Sequence, residues 1–341
     1  MNQMNNNVTK ELQQTGVRGL IPLEPLTHGT IKDIPNFNPQ RDSELLRKAM
    51  KGLGTDEKAI TSIIGSRSNN QRQSIKTEFA TMYGKDLLAE LKSELSANYE
   101  KTVLELMISP AEYDAMQCRD AISGIVTNEQ CLIEILSSRS NKDVIALRDA
   151  YKRLYEKDLE QDISGDTSGD FQRLLISLLT GGRSENEPVD PQRAAQDAQV
   201  LYKAGEKRLG TDESKFNAIL ASRSFPQLRL IFKEYDKITK HSLEDAIKNE
   251  MSGNLKEGMV AIVKCANNRP AYFAERLYLS MKGLGTDDKT LIRVMVSRCE
   301  IDMVEIKHEF QRMYGKTLET FIAGDCSGDY KKILLQLCAG N

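Results

Sequence analysis

The chain has 341 residues, with 47 Lys or Arg and 49 Asp or Glu, and its formal net charge is −2. This balance argues against nucleic acid as the main partner and against adsorption to an anionic membrane by bulk positive charge. A content of 40% hydrophobic and 28% charged residues is ordinary for a globular protein, which argues against disorder, collagen and coiled coil.

Residues 1–41 are predicted to form a separate polar head that is extended or mobile, because they contain several prolines and no sustained periodicity. Their start is neither basic nor apolar, so we expect no secretory signal. No apolar run in the chain approaches the roughly 20 residues of a membrane-spanning helix. Six scattered Cys without Cys-x-x-Cys spacing predict reduced thiols and no zinc site.

The remainder is a fourfold repeat. When the residue before a recurrent Thr is taken as the reference of each copy, the references are Gly54, Val126, Gly210 and Gly285. Every copy then has Arg thirteen positions later, an aromatic residue at twenty-five, Leu at thirty-three and an acid at forty. The acids are Glu94, Asp166, Glu250 and Asp325. This constant spacing predicts four homologous units.

The boundaries follow from the spacing and from a stretch rich in Gly and Pro. We predict copy I at 42–110, copy II at 111–182, a linker at 183–196, copy III at 197–268 and copy IV at 269–341.

Within each copy the apolar residues recur every three or four positions, as in Ile60, Ile63 and Ile64. This periodicity predicts five short amphipathic helices per copy, and no long run alternates like a β-strand. The predicted fold class is all-α. Thr55, followed by Asp56 and Glu57, predicts a helix start at which the Thr hydroxyl caps the helix.

Two features suggest a cation: a Gly-x-Gly turn, complete in copies I and IV and degenerate in copies II and III, and the acid at position forty of every copy. A Gly-x-Gly turn exposes backbone carbonyls, and an acid at a helix end is unfavourable unless positive charge lies beside it. Each feature alone could be structural, since Gly and Ser-Gly turns commonly end and begin helices. Together they supply the all-oxygen ligands of Ca²⁺, with one carboxylate per ion and positions left for water or a lipid phosphate.

No catalytic arrangement is found. The chain has three His, no phosphate-binding loop and no metalloprotease motif, so we predict that it is not an enzyme. The four Arg at position thirteen are predicted to be structural, pairing with carbonyls or acids between helices.

From about Asp42 to the C-terminus the chain resembles an annexin. The resemblance rests on Met-Lys-Gly-Leu-Gly-Thr beginning at Met50 and Met281, on the Ser-Arg-Ser segments, and on Gly-Asp-x-Ser-Gly-Asp beginning at Gly165 and Gly324. It implies a slightly curved disc of four five-helix repeats with calcium loops on the convex face. It also implies reversible Ca²⁺-dependent binding to phosphatidylserine-type membranes.

The resemblance assigns calcium ligands position by position. Copy I would use the carbonyls of Met50, Gly52 and Gly54 with Glu94, and copy IV those of Met281, Gly283 and Gly285 with Asp325. Copy III has a variant loop, in which Gly205, Arg208 and Gly210 would join Glu250. In copy II Val126 replaces a glycine and resists a positive φ, so a regular site with Asp166 is in doubt.

Three leucines lie between the expected carbonyl ligands: Leu53, Leu209 and Leu284. An exposed Leu at such a place suggests insertion into the lipid interface, and the alternative is packing against its own repeat.

The predicted function is calcium-dependent binding to anionic phospholipid, serving membrane organisation, trafficking or repair by a cytoplasmic protein that becomes peripheral to membranes when calcium rises. The alternatives are a scaffold whose head recruits a protein partner, and a weak ion channel. The channel alternative follows from the resemblance, because Asp114, Glu134, Arg139 and Arg293 match charged positions of the central passage in annexins. Salt bridges between the domains explain the same four residues. Oligomerisation on membranes and unconventional secretion stay open.

Overall fold

The computed structural model describes residues 26–52, 54–185, 187–207 and 210–341. Within these ranges the chain is helical and contains no β-strand, which confirms the predicted all-α class. No helix in the described part of the chain is long and apolar enough to cross a membrane. Leu53, Arg208 and Leu209, as well as residues 1–25 of the head, lie outside the described ranges.

Each of the first two copies contains five helices. Those of copy I are α1 (Pro39–Ala49), α2 (Glu57–Ile64), α3 (Asn69–Tyr83), α4 (Leu87–Glu94) and α5 (Ala97–Leu106). Those of copy II are α6 (Pro110–Ile122), α7 (Glu129–Ser138), α8 (Asn141–Tyr155), α9 (Leu159–Asp166) and α10 (Gly169–Leu179).

The last two copies share one long, kinked helix. Copy III contains α11 (Pro191–Ala204), α12 (Glu213–Ser222), α13 (Phe225–Thr239), α14 (Leu243–Glu250) and the first half of α15 (Gly253–Met281). Copy IV contains the second half of α15 with α16 (Asp288–Arg298), α17 (Met303–Tyr314), α18 (Leu318–Asp325) and α19 (Gly328–Ala339). Asn268 has φ −159° and ψ 93° within α15, and Pro270 follows it, so each half acts as one helix of its own copy.

The recurrent apolar positions form the core of every copy. The aromatic residue at twenty-five and the Leu at thirty-three are at most 1% exposed in all four copies; they are Phe79, Tyr151, Tyr235, Phe310, Leu87, Leu159, Leu243 and Leu318. Burying such a side chain contributes about 1.5–3 kcal/mol. The spacing is therefore maintained by packing as well as by the site described below.

The Arg at position thirteen is structural in each copy, as predicted. In copies I to III it forms a bidentate pair with an Asp of the first helix, and Arg139, for example, donates to Asp114 at 2.7 and 2.8 Å. In copy IV Phe273 stands at that Asp position. Arg298 instead pairs with Asp302 at 2.6 and 2.8 Å and lies 4.5 Å from the Phe273 ring centroid.

A buried ion cluster joins copies II and IV. The Glu134 carboxylate is fully buried and accepts from Arg293 at 2.8 and 3.0 Å and from Arg276 at 3.1 Å. Burial opposes ionisation of Glu134, but the two Arg outweigh it and hold its pKa below the ordinary value of 4.5. The cluster therefore stabilises the contact between the two copies only while the carboxylate is ionised.

The second helices of copies I, II and IV end on one side of the molecule. A single cavity there is lined by Arg72, which donates to the Ile64 carbonyl at the end of α2 at 2.9 Å, and by residues at or just after the ends of α5, α7 and α16, namely Ile108, Arg139 and Ser297. The second helix of copy III ends on the same side. Arg183 donates to the carbonyls at the end of α12, and its own carbonyl accepts from Asn141, the first residue of α8, which follows α7.

Because the second helices run in the same direction, the loops that precede them lie together on the opposite side, which we call the loop face. Glu57 and Asp329 support this arrangement, since they lie in the first turns of α2 and α19 and line one groove. The loop face therefore carries the recurrent turns of all four copies.

The described part of the predicted head, residues 26–38, contains no helix and is attached to copy IV. The Ile31 N–H donates to the Cys299 carbonyl at 3.0 Å, and the His28 ring lies 2.8 Å from the Glu305 carboxylate. Helix α11 begins at Pro191, so the last six residues of the predicted linker are helical. A Pro at the first helical position favours such a start, because its missing N–H would have no partner there.

We expect Glu134→Gln to destabilise the protein by about 3–5 kcal/mol, because it leaves two buried Arg without their counter-charge. Asp170→Asn is the control: Asp170 pairs with Arg173, which is 69% exposed, and such a surface pair contributes less than about 1 kcal/mol. Urea unfolding at neutral pH measures both. Equal midpoints for the two variants would contradict the assigned role of the cluster.

The same substitution predicts a pH dependence. The folded pKa of Glu134 is depressed, so its stabilisation is complete above about pH 4.5 and is lost as the pH falls through the folded value. The difference in urea midpoint between wild type and Glu134→Gln should therefore shrink on acidification. A constant difference would show that the cluster does not titrate in this range.

Candidate functional site

The glycine turn of each copy belongs to a loop closed by one backbone hydrogen bond. The residue that caps the second helix donates to the last or second-last residue of the first helix, at 2.7–2.9 Å, in the pairs Asp56 to Ala49, Asn128 to Ala121, Asp212 to Ala204 and Asp287 to Ser280. We call the segments 49–56, 121–128, 204–212 and 280–287 the reference loops. The loop of copy III is one residue longer, so the four loops share one closure with variable content between its ends.

The glycines of copies I and IV adopt conformations that other residues avoid. Gly52 and Gly54 have φ 121° and 85°, and Gly283 and Gly285 have φ 114° and 87°. A Cβ atom at any of them would meet nothing within 4 Å, so the positive φ and not a lack of space selects glycine. The four glycines are exposed, which leaves the loops without side chains at these positions.

The preceding methionines anchor these two loops. Met50 and Met281 are each 5% exposed, so their side chains belong to the core while their backbones begin the turn. The sequence had assigned only their carbonyls to the site. Their burial fixes one end of each loop.

The acid at position forty lies beside the recurrent Thr in every copy. The hydroxyl of Thr55 donates to the Glu94 carboxylate at 3.0 Å, and the hydroxyl of Thr286 donates to Asp325 at 2.5 Å. Thr127 makes the same contact with Asp166 at 2.5 Å, and in copy III Thr211 donates instead to the backbone carbonyl of Glu250 at 3.3 Å. The fold thus brings together two turns that are thirty-nine residues apart in sequence.

This contact corrects one prediction. Thr55 does not cap α2; Asp56 is the N-cap, and its carboxylate accepts from the Ala59 N–H at 2.9 Å. The Thr hydroxyl is thereby free to bind the acid. The constant spacing between Thr and acid was the available signal for this pair, because two positions that keep their distance in four copies can be in contact.

Copy III presents part of the same arrangement. Gly210 has φ 79°, whereas Gly205 has φ −103° and ψ −103°. The carboxylate of Glu206 is engaged by the Tyr235 hydroxyl at 2.5 Å and by the His241 ring at 3.0 Å. Of the predicted ligands of this copy, the structure describes Gly205, Gly210 and Glu250, whereas Arg208 lies outside the described residues.

Copy II keeps the closure and the acid but not the glycine conformation. Neither Gly124 nor Val126 is among the described residues with a positive φ. Ile125 and Val126 are 106% and 81% exposed. The expectation that Val126 would resist a left-handed conformation agrees with this backbone.

One of the three leucines predicted at the loop tips can be assessed. Leu284 is 109% exposed, so it does not pack against its own repeat. Leu53 and Leu209 lie outside the described residues.

The available ligands indicate which ions the loops could hold. Among the described residues no three His, Cys, Asp or Glu side chains cluster as a metal site, so each loop offers one carboxylate together with backbone oxygens. All six Cys are buried and unpaired, and burial raises the pKa of Cys326, next to Asp325, to about 11. Oxygen ligands without thiolate or imidazole suit a hard cation such as Ca²⁺ and not zinc.

Comparison with known proteins identifies the family. The Annexin family matches residues 41–106, 113–178, 196–262 and 272–337, one match in each copy. Human annexin A11 is 58% identical over 315 residues, covering 92% of this chain and 62% of its own length. Rat annexin A4 is 53% identical over 313 residues, covering 92% of this chain and 98% of its own length.

Solved structures agree with the sequence comparison. The chain titled annexin III superimposes with a TM-score of 0.91 at 47% identity, covering 93% of this chain and 98% of its own. A calcium-bound annexin (Sm)1 superimposes with a TM-score of 0.84 at 31% identity, covering 94% and 95%. Four matched repeats, high identity and a shared fold lead to one conclusion: this chain belongs to the annexins, a family of calcium-dependent phospholipid-binding proteins whose members are generally not enzymes.

Proposed function

We propose that this protein attaches to anionic phospholipid membranes through Ca²⁺ ions held in its reference loops. The observation that carries the proposal is the coincidence, in copies I and IV, of two left-handed glycines with a carboxylate tied to the same loop by a Thr hydroxyl. This arrangement supplies accessible backbone oxygens and one negative charge at each of two places on the loop face.

The proposed ligands differ between copies. In copy I they are the carbonyls of Met50, Gly52 and Gly54 with the Glu94 carboxylate. In copy IV they are the carbonyls of Met281, Gly283 and Gly285 with Asp325. In copy III the carbonyls of Gly205, Arg208 and Gly210 join Glu250, and in copy II Asp166 has no glycine turn to complete a regular site.

The proposed membrane partner follows from the small number of negative ligands around each calcium ion. One carboxylate leaves a bound Ca²⁺ with net positive charge and open coordination positions, which a lipid phosphate oxygen can occupy. The ion thereby bridges a protein of net charge −2 and an anionic surface that would otherwise repel each other. Since each partner completes the site for the other, calcium and membrane raise each other's affinity by the same factor.

The exposed tip of copy IV adds an apolar contact. Leu284 lies between the proposed ligands Gly283 and Gly285 and is fully exposed, so binding at the phosphate level would bring it to the lipid interface. Full burial of a leucine contributes about 1.5–3 kcal/mol. Leu53 and Leu209 hold the equivalent sequence positions in copies I and III.

Within this proposal the protein recognises phosphatidylserine-type lipid from the cytoplasmic side when calcium rises. A protein partner of the head would be bound by residues of the segment 1–41, of which residues 26–38 are attached to copy IV. The channel alternative gains no support from the four charged positions. Asp114 pairs with Arg139, and Glu134 pairs with Arg293, in buried or nearly buried contacts.

Replacing the acids of copies I and IV, whose loops contain two left-handed glycines, should weaken calcium-dependent binding most. We expect Glu94→Gln with Asp325→Asn to raise the calcium concentration needed for vesicle sedimentation about tenfold to a hundredfold, because each removes the charged ligand of a site. Asp166→Asn is the matched control and should change it little. Equal losses would contradict the distinction between the copies, and wild-type binding in chelator would contradict bridging itself.

The glycine conformation gives an independent prediction. Gly285→Ala should weaken calcium binding at copy IV by forcing a Cβ into φ 87°, although the space around it is open. Gly324→Ala is the control, since it is also in open space, has no positive φ and lies within α18 next to Asp325. Calorimetric calcium titration with vesicles measures both. An equal effect of the two substitutions would show that the left-handed turn is not required.

The proposed insertion at copy IV can be followed by fluorescence because the chain has no Trp. We expect Leu284→Trp to shift its emission to shorter wavelength when Ca²⁺ and anionic vesicles are both present, since the indole enters the lipid interface. Neither addition alone should produce the shift. Unchanged emission from vesicle-bound protein would exclude contact of this loop with the membrane.

A further inference from the structure

The copy II reference loop carries Ile125 and Val126, which we call its tip. They are the most exposed pair of neighbouring apolar side chains in the described part of the chain. Ile125 is 106% and Val126 81% exposed, and among the described large hydrophobic residues only Leu26 and Leu284 reach comparable values. Exposing two adjacent branched side chains has a hydrophobic cost that no intramolecular contact offsets. A role for this tip must therefore lie outside the chain.

The copy II loop is also uncharged. Residues 123–128 read Ser-Gly-Ile-Val-Thr-Asn, whereas the equivalent segments of copies I and IV contain Lys51 and Asp56, and Lys282 and Asp287. Transfer of an uncharged segment out of water costs far less desolvation free energy than transfer of a charged one. The nearest acid, Asp166, accepts the Thr127 hydroxyl at 2.5 Å behind the tip.

The ends of the loop are tied together by backbone and side-chain hydrogen bonds before any partner arrives. The Asn128 N–H donates to the Ala121 carbonyl at 2.8 Å, and the Asn128 side chain accepts from the Cys131 N–H at 3.1 Å to cap α7. A preorganised loop loses little conformational entropy when its tip is buried. Ile125 and Val126 are therefore presented on a fixed support.

The location of Ile125 and Val126 on the loop face indicates which surface they contact. Because α7 ends on the same side as α2 and α16, the copy II loop lies on the loop face together with the loops of copies I and IV. Leu284, another highly exposed residue, belongs to the copy IV loop on this face. A surface that meets the loops of copies I and IV therefore also meets Ile125 and Val126, and an apolar, uncharged tip fits the acyl side of a lipid interface.

We propose that copy II contacts the bilayer through the side chains of Ile125 and Val126 and without a calcium ion of its own. This inference rests on the proposed function, in which the calcium loops of the other copies bring the loop face to the membrane. The change from Gly to Val at position 126 thus exchanges an ion-bridged contact for an apolar one. The partner is the lipid surface itself and not a soluble phosphate compound.

Two properties follow from this contact. The two side chains alone do not hold the protein on a membrane, because even a whole acyl chain gives only marginal attachment, so binding stays calcium-dependent. Once calcium has positioned the loop face, their insertion lowers the calcium concentration needed for binding through linkage. Copy II then sets calcium sensitivity without binding calcium.

The test compares two Ile–Val pairs on opposite faces of the full chain. Ile125→Ser with Val126→Ser should reduce affinity for phosphatidylserine-containing vesicles about tenfold to a hundredfold at fixed Ca²⁺. Ile301→Ser with Val304→Ser is the matched control, because both are 45% exposed and Ile301 lines the cavity opposite the loop face. The control should bind vesicles like wild type, and both variants should bind as many Ca²⁺ ions as wild type without lipid.

A second measurement locates the tip directly. Ile125→Trp, in a chain without native Trp, should shift its emission to shorter wavelength and be quenched by brominated lipid when Ca²⁺ and vesicles are present. Leu284→Trp reports binding of the loop face in the same assay. A shift for Leu284→Trp with unchanged emission for Ile125→Trp would overturn the inference and leave the proposed function intact.

The remaining outcomes are equally distinct. If wild type does not sediment with vesicles in Ca²⁺, the proposed function fails and the inference fails with it. If wild type binds and the Ile125/Val126 variant binds equally well, only the inference fails. Loss of self-association in that variant, measured by sedimentation velocity without lipid, would assign the tip to a second copy of the chain and overturn the membrane contact.

Discussion

The contact between the recurrent Thr and the acid thirty-nine positions later is the constraint on which the proposed sites depend. It joins the loop before the second helix to the turn between the fourth and fifth helices. Neither turn could form a site alone, because one supplies backbone oxygens and the other supplies charge. The buried aromatic and Leu positions between them keep the two turns in register, so the core of each copy also positions the site.

The four reference loops share one closing hydrogen bond but differ in the exposed residues between its ends. The closing hydrogen bond is present in each, and the second helix is capped by a side chain in copies I, II and IV, while the residues between vary from two left-handed glycines to Ile-Val. A substitution at the tip changes the chemistry presented without disturbing the helices, because no helix depends on the tip for its core. Repetition therefore allows the contact at one copy to differ while the others retain theirs.

Much of the fold could be predicted because it depends on local pattern and repetition. Spacings of three and four predicted the helices, and the fourfold spacing predicted the units. The bonds between copies could not be read from local pattern: the resemblance grouped Glu134 with Arg293, but nothing in the sequence near Glu134 indicates that Arg276, more than 140 residues away, also neutralises it. In copy IV Phe273 replaces the usual Asp, and only the structure shows that Arg298 turns to Asp302 instead.

The candidate site could likewise be predicted where it depends on local residue type, and not where it depends on packing between distant residues. The positive φ of glycine and the resistance of Val to it are intrinsic backbone properties, so the difference between copies IV and II could be inferred from residue type. The role of Thr55 was not predicted correctly, because its hydroxyl had a local partner, the N–H groups that start α2, and a distant one, Glu94, and the cap was taken by Asp56. Choosing between them requires the position of Glu94, which packing determines.

The small net charge of the chain affects how the protein would approach an anionic membrane. An excess of only two negative charges gives weak long-range repulsion from an anionic membrane, which salt screens further. In the proposed mechanism a few ions bound at the loop face are sufficient to reverse the local sign, while the rest of the surface stays unchanged. The apolar side chains proposed to enter the lipid add attraction only within contact distance, so they would act after the ions have brought the face to the membrane. Under this proposal electrostatics controls whether the protein arrives, and the apolar side chains of the loop face control how firmly it stays.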